Sequence, residues 1–172
     1  QQLESEPGWY ADAVIYHIWV KAFADAAYQD GIGDLPGIQG KLDYLQTLGV
    51  NTLWLSPIFE CDYKGENMHG YDTTDDYATE DRFGSRADLK ALIDAVHAKG
   101  MRILFDFVPN HTSTKHPWFT NAATRGSWYI WNAGQPAGWG LPWGGGSPQN
   151  VWKSGANGYF YTSFSTESLA DL

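Results

Sequence analysis

Apolar residues in the first part of the chain recur in two alternating modes. Ile38, Leu42, Leu45 and Leu48 return every three or four positions, the spacing of one helix face, and Gly49 follows as a helix stop. Residues 50–55 are then nearly continuously apolar and end at Ser56-Pro57, as a buried strand does. The same arrangement repeats further on. Ser85 with Asp88 forms a capping-box pattern, Leu89, Leu92, Ile93 and Val96 make a helical stripe, Gly100 stops it, and residues 103–107 form another strand. An earlier apolar segment, residues 14–20, reads as the first strand. Strand, helix, strand, helix, strand predicts an α/β fold with a parallel sheet covered by helices. Right-handed crossovers set the strands side by side with their C-terminal ends along one edge. The loops on that edge, residues 21–37 and 57–84, are long enough to suggest a functional role.

Past residue 112 this pattern breaks. Residues 113–172 carry only five charged side chains (Lys115, Arg125, Lys153, Glu167 and Asp171), yet they hold 6 of the 9 Trp and 9 of the 19 Gly. No helical period survives, so an irregular, short-stranded subdomain inserted after the third strand is expected. The chain as a whole is acidic, with 20 Asp plus Glu against 11 Lys plus Arg, which argues against nucleic acid and anionic membrane as partners. No apolar run approaches the ~20 residues of a membrane-crossing helix. A lone Cys61 excludes an internal disulfide framework and a multi-cysteine zinc site, and it reads as incidental in a polar loop. With nucleobases set aside by charge, the 9 Trp, 10 Tyr and 8 Phe serve either a core or the faces of sugar rings. A start at Gln1-Gln2-Leu3 rather than Met is expected of a chain either processed or trimmed there, which leans weakly towards a secreted or periplasmic protein.

Candidate chemistry concentrates at the exit of the third strand, Phe105-Asp106-Phe107-Val108-Pro109-Asn110-His111. Loops leaving strand ends are where α/β enzymes place reactive groups, because the sheet holds them rigidly. Crowded polar side chains there cost stability unless they bind each other or a ligand. A strand ending in a turn at Pro109-Asn110 is the alternative.

Several motifs match one family. Ala13-Val14-Ile15-Tyr16 with Phe23, then Asp30-Gly31-Ile32-Gly33-Asp34-Leu35 with Gly37-Ile38, resemble the first barrel strand and its loop in glycoside hydrolase family 13, the alpha-amylase family. His69-Gly70-Tyr71-Asp72, Asp76-Tyr77 and Phe83-Gly84 resemble the second long loop; Asp106 to His111, continuing through Thr112-Ser113 and His116-Pro117-Trp118-Phe119, resemble the third-strand region. Ser168-Leu169-Ala170-Asp171-Leu172 resembles the motif that closes the inserted B domain.

The resemblance implies a (β/α)8 TIM barrel of the alpha-amylase type. Residues 1–112 would supply its first three strands and residues 113–172 the B domain, ending near the return to the barrel. It implies retaining hydrolysis or transglucosylation at α-glucosidic bonds of oligosaccharides or α-glucans, one carboxylate attacking and a second protonating the leaving oxygen. By the same mapping no catalytic residue lies within this chain. The nucleophile, general acid and stabilising Asp are expected beyond Leu172, so the remaining part of the same enzyme is a necessary partner and the fragment alone is expected to be inactive. A non-catalytic scaffold of the same family, like the amino-acid-transporter heavy-chain ectodomains, is the rival reading; the presence of Tyr71 and His111 argues against it.

Within the chain the resemblance makes His111 a donor to the sugar in the cleavage subsite and Tyr71 the ring that stacks on that sugar. Asp106 meets the sugar, orients polar neighbours, or serves a structural ion pair. Met68 stands where many oligosaccharide-specific members carry Asp. Calcium is the metal suggested, with no organic cofactor. Asn110 matches a calcium ligand of true alpha-amylases, and residues 25–34 resemble a second metal loop in which Asp30, Asp34 and the Ile32 carbonyl fit the spacing. Asp25 fits that loop only with a one-residue insertion. A Gly-rich turn with capping carboxylates is the alternative. Asn110-His111-Thr112 is also a formal glycosylation sequon, set aside because the strand exit is expected to be buried. No Trp is assigned to a sugar subsite individually.

Overall fold

The computed structural model describes residues 8–63, 68–164 and 168–172. Its strands are β1 (Ile15–Ile18), β2 (Thr52–Leu55), β3 (Phe59–Cys61), β4 (Thr73–Thr79), β5 (Arg102–Phe105), β6 (His111–Ser113), β7 (Trp131–Asn132), β8 (Trp152–Gly155), β9 (Gly158–Tyr161) and β10 (Leu169–Asp171). Its α-helices are α1 (Val20–Phe23), α2 (Leu35–Gly40), α3 (Leu42–Thr47), α4 (Arg86–Ala98), α5 (Pro117–Thr120), α6 (Ala122–Trp128) and α7 (Pro148–Val151). These elements pack as two compact units: residues up to Ile58 with Thr79–Asp106, and Phe59–Ala78 with Phe107–Leu172. The change in composition after residue 112 and this division of packing do not coincide, because residues 59–78 pack with the later segment.

The first unit is a parallel sheet in the order β1-β2-β5, with Tyr16 level with Leu53 and Leu53 level with Ile103. Ile18, Leu53 and Leu55 are buried on it, as are Leu35, Ile38, Leu42 and Leu45 from α2 and α3 and Leu92 and Val96 from α4. Each such side chain gains roughly 1.5–3 kcal/mol by leaving water. The capping box at Ser85 forms as expected: Asp88 N–H donates to the Ser85 hydroxyl and Ser85 N–H to the Asp88 carboxylate. The first helical stripe differs from expectation. It is two short helices broken at Lys41, which follows Gly40 and has φ −105° and ψ 6°. The helix also starts earlier, at Leu35, because Asp34 caps it through a 2.6 Å bond from Gly37 N–H.

The second unit holds the antiparallel pair β6–β10, the pair β3–β4, and the antiparallel sheet β7-β9-β8. Phe160, Tyr129 and Ala170 form its hydrophobic centre, with Trp118, Phe119 and Trp131 against them. The segment is less strand-like than its composition suggested: α5, α6 and α7 start at side-chain caps or at Pro rather than on an apolar stripe. Trp152 is buried, whereas Trp128, Trp139 and Trp143 stay exposed. Cys61 is buried in β3 with its thiol directed at the Tyr63 carbonyl, not loose in a polar loop.

Candidate active-site wall

The sequence forces a tight turn at His69-Gly70-Tyr71. Gly70 adopts φ +79°, a conformation glycine enters at no steric cost, and this lets Tyr71 N–H donate to His69 Nδ1 at 3.0 Å. The turn aligns three rings. Tyr63 and His69 lie 6.4 Å apart at 15°, and His69 and Tyr71 5.9 Å apart at 25°. All three side chains are accessible, Tyr71 at 39%. The result is a stacked aromatic edge.

Beneath it His111 is buried, 4% exposed, at the start of β6. Its Nε2 lies 2.9 Å from the Tyr71 carbonyl and its Nδ1 3.2 Å from Asn110 Nδ2. Burial pulls the imidazole pKa below its ordinary value, opposed by the Tyr71 carbonyl and the charges of Asp171 and Asp72. Phe164 meets the ring edge-on at 5.1 Å, and Trp143 stands 5.9 Å from Phe164. Asp72, itself buried, accepts from Tyr63 N–H at 2.7 Å through one oxygen.

A second polar cluster in this unit joins His116 and Asp76. His116 Nε2 is 3.3 Å from Asp76 Oδ2, while its Nδ1 accepts from Trp118 N–H. Burial depresses the His116 pKa and raises that of Asp76, each opposed by the partner's charge. A cavity of about 370 Å³ beside it is lined by Asp76, Tyr77, Phe107, Pro109, Trp118 and Leu172, among others.

Tyr71 and His111 therefore come together, through the main chain of one and the ring of the other. Asp106 belongs to the first unit, half-buried, where its N–H continues the sheet by donating to the Leu55 carbonyl. Asn110 is exposed as a residue, contrary to the buried exit expected, while its amide is engaged by Ser163 Oγ at 3.0 Å and by His111. Ser163 and Asp171 were not singled out as parts of the site; one polar residue in a Ser/Thr-rich stretch carries no spacing signal, and only the pairing of β6 with β10 brings them beside His111.

The loop resembling a metal site uses its carboxylates otherwise. Asp34 accepts from Ala26, Ala27 and Gly37 N–H groups, and Asp25 from Gln29 and Gly31. Asp30 accepts from Ile32 N–H and from the Arg82 guanidinium at 3.1 Å. Among the described residues no three His, Cys, Asp or Glu side chains converge as a cation cage. Asn110 likewise turns an N–H towards its partners rather than the oxygen a hard cation takes. As arranged, these residues do not fit calcium.

A three-stranded parallel sheet with an irregular unit drawn from the loops after its second and third strands is an α/β arrangement. The family model "Alpha amylase, catalytic domain" matches residues 17–172, and the chain belongs to the alpha-amylase family. It is 37% identical to alpha-amylase 3 of Dictyoglomus thermophilum over 98% of this chain and 32% of that protein. It is also 37% identical to a probable oligo-1,6-glucosidase of Bacillus subtilis, over 95% of this chain and 30% of that protein. Trehalose-6-phosphate hydrolase of Bacillus licheniformis superposes with a TM-score of 0.81 at 32% identity, covering 95% of this chain and 30% of that one. The chain thus spans about a third of the length of these relatives, as the first part of an alpha-amylase-type barrel.

Proposed function

We propose that this chain is the sugar-positioning first part of an enzyme that hydrolyses or transfers at α-glucosidic bonds of oligosaccharides or α-glucans. The carrying observation is the Tyr71–His111 unit: an accessible aromatic face whose main chain is fastened to a buried, neutral imidazole. A glucose ring stacks its apolar face on such a surface, and the fixed carbonyl keeps that surface from yielding. His111 Nε2–H, directed at the Tyr71 carbonyl, is the donor a sugar hydroxyl would share. In the retaining route one carboxylate attacks the anomeric carbon and another protonates the leaving oxygen. Both are assigned to the part of the enzyme outside this chain, whose share of its relatives' length leaves room for them. Relatives named for oligo-1,6-glucosidase and trehalose synthase activity support the substrate class.

The full-length protein, assayed against maltose, isomaltose, trehalose and sucrose, is expected to turn over at least one. Tyr71→Ala should then lower kcat/KM by roughly tenfold or more, the worth of a lost stacking contact of ~1.4 kcal/mol. A full-length protein inert towards every α-glucoside would overturn the enzyme reading in favour of a scaffold.

A further inference from the structure

We propose that the second unit carries a binding site for a small organic ammonium ion: the cavity beside Asp76, where that carboxylate stands among aromatic side chains. This site uses neither Tyr71 nor His111, and it does not rest on the sugar-binding role given to them.

The cavity is lined by residues of the second unit. Its volume of about 370 Å³ falls in the roughly 300–1,000 Å³ range of small-molecule sites. Tyr77, Phe107 and Trp118 supply rings to its lining, and Val108 and Leu172 supply aliphatic surface. Tyr77 and Phe107 are 78% and 63% exposed, so both have area that a ligand can cover. Trp118 is held in place, its ring meeting His116 at 4.4 Å and Trp128 at 5.1 Å.

His116 prepares the carboxylate. Trp118 N–H donates to His116 Nδ1 at 3.1 Å, so the neutral imidazole carries its proton on Nε2, 3.3 Å from Asp76 Oδ2. That contact engages one oxygen and leaves Oδ1 to meet a ligand. A neutral imidazole brings no charge, so the pair is anionic, and the neighbouring Asp75 adds to the negative field. Burial raises the Asp76 pKa, the mark of a carboxylate short of compensating charge.

The lining selects the kind of cation. Calcium takes about 6–8 oxygens, which one carboxylate among rings does not provide. A neutral sugar would turn most of its hydroxyls towards Phe, Val, Pro and Leu side chains that cannot bond them. An alkylammonium ion needs one anion and no further acceptors, and aromatic faces attract its charge.

The test titrates the full-length protein with tetramethylammonium chloride at about pH 7.5 and constant ionic strength. The indole N–H resonance of Trp118, assigned by its loss in Trp118→Phe, reports occupancy. A saturable shift with a millimolar dissociation constant is expected for so small a ligand. Asp76→Asn, nearly the same size but uncharged, should weaken binding by roughly tenfold, and Phe107→Ala severalfold. tert-Butanol, of similar bulk without the charge, and glucose should give no saturable shift. The absence of a saturable shift with tetramethylammonium would overturn the proposal. Equal affinity in Asp76→Asn, or an equal response to tert-butanol, would overturn it too by making the cavity merely apolar. A response to glucose in place of the cation would replace it with a sugar site. If Asp76→Asn fails to fold, Phe107→Ala decides, and an unchanged affinity there sinks the aromatic site. Binding is read without turnover, so the result stands even if the protein proves inert towards α-glucosides.

Discussion

The two units of this chain are held by different physics. In the first, aliphatic side chains on the sheet and helices, Leu35, Ile38, Leu45, Leu53, Leu55 and Leu92, are fully or almost fully withdrawn from water. In the second, the buried set includes Asp72, His111, Thr112, Ser113, His116, Ser163 and Asp171 beside a small aromatic centre. Burial of apolar area is tolerant of detail, since many arrangements remove similar surface from water. A buried polar network is not, since each member must find a partner of the right sense. The unit built on area supplies the rigid sheet, and the unit built on hydrogen bonds supplies the site.

Core truncation should give the largest effects and reveal the contrast in repair. Leu53→Ala is expected to cost about 2–5 kcal/mol and Phe160→Ala about 3–5 kcal/mol in denaturant unfolding. Leu53→Ile should recover most of the first loss, since volume is what that position needs. Phe160→Leu should recover less, because Phe160 meets Phe119 edge-on at 5.1 Å and Trp131 at 5.6 Å, geometry an aliphatic side chain does not reproduce. Equal recovery at both positions would remove the distinction between the two cores.

Acidity should separate the units next. His111 and His116, both in the second unit, have pKa values held below the ordinary 6.5 by burial. Between 6.5 and those lower folded values the unfolded chain binds more protons than the folded one. Stability therefore rises with pH across that window and falls as pH drops through it. Asp76 and Asp171, raised above 3.8 by burial, act in the opposite sense between 3.8 and their folded values, and so blunt the loss there. The melting temperature should fall as the pH drops below about 6.5, and His116→Gln should flatten that slope. A slope unaltered in the variant would mean that the His116–Asp76 pair does not carry the dependence.

The same contrast governs what could be read from the sequence. The alternation of helix and strand, the cap at Ser85 and the parallel order of three strands follow from spacing alone, because a period of 3.6 or a run of apolar residues is a local signal. The break at Lys41 was hidden inside a stripe whose spacing survives it. Tyr71 and His111 are singled out only through a family pattern. Ser163 is not, since a hydroxyl 53 positions from Asn110 becomes informative only once β6 and β10 are paired. Asp34 shows the ambiguity from the other side: the spacing that suits a metal ligand equally suits a helix cap, and the structure uses it as a cap.

That ambiguity yields the smallest expected effect, and the one that most sharpens the comparison, since the loop at residues 25–34 is a polar network inside the unit otherwise held by area. A hard cation would need about 6–8 oxygens converging at roughly 2.3–2.6 Å. Here the oxygens of Asp25, Asp30 and Asp34 converge instead on N–H groups of their own loop and helix, and on Arg82. The Asp30 pKa is lowered first by the Ile32 N–H and then by Arg82, so the carboxylate is already stabilised as an anion. Calcium or a chelator should leave the melting temperature of the full-length protein unchanged. Arg82→Gln should cost little, because the Arg82 and Asp30 side chains are 36% and 35% exposed and water screens the pair. Asp34→Ala should cost more than Arg82→Gln, since Asp34 is fully buried and three N–H groups lose their acceptor at once. A drop of several degrees on adding chelator would instead show that the loop exchanges these N–H donors for a cation, and that its network is only one of two ways of satisfying the same carboxylates.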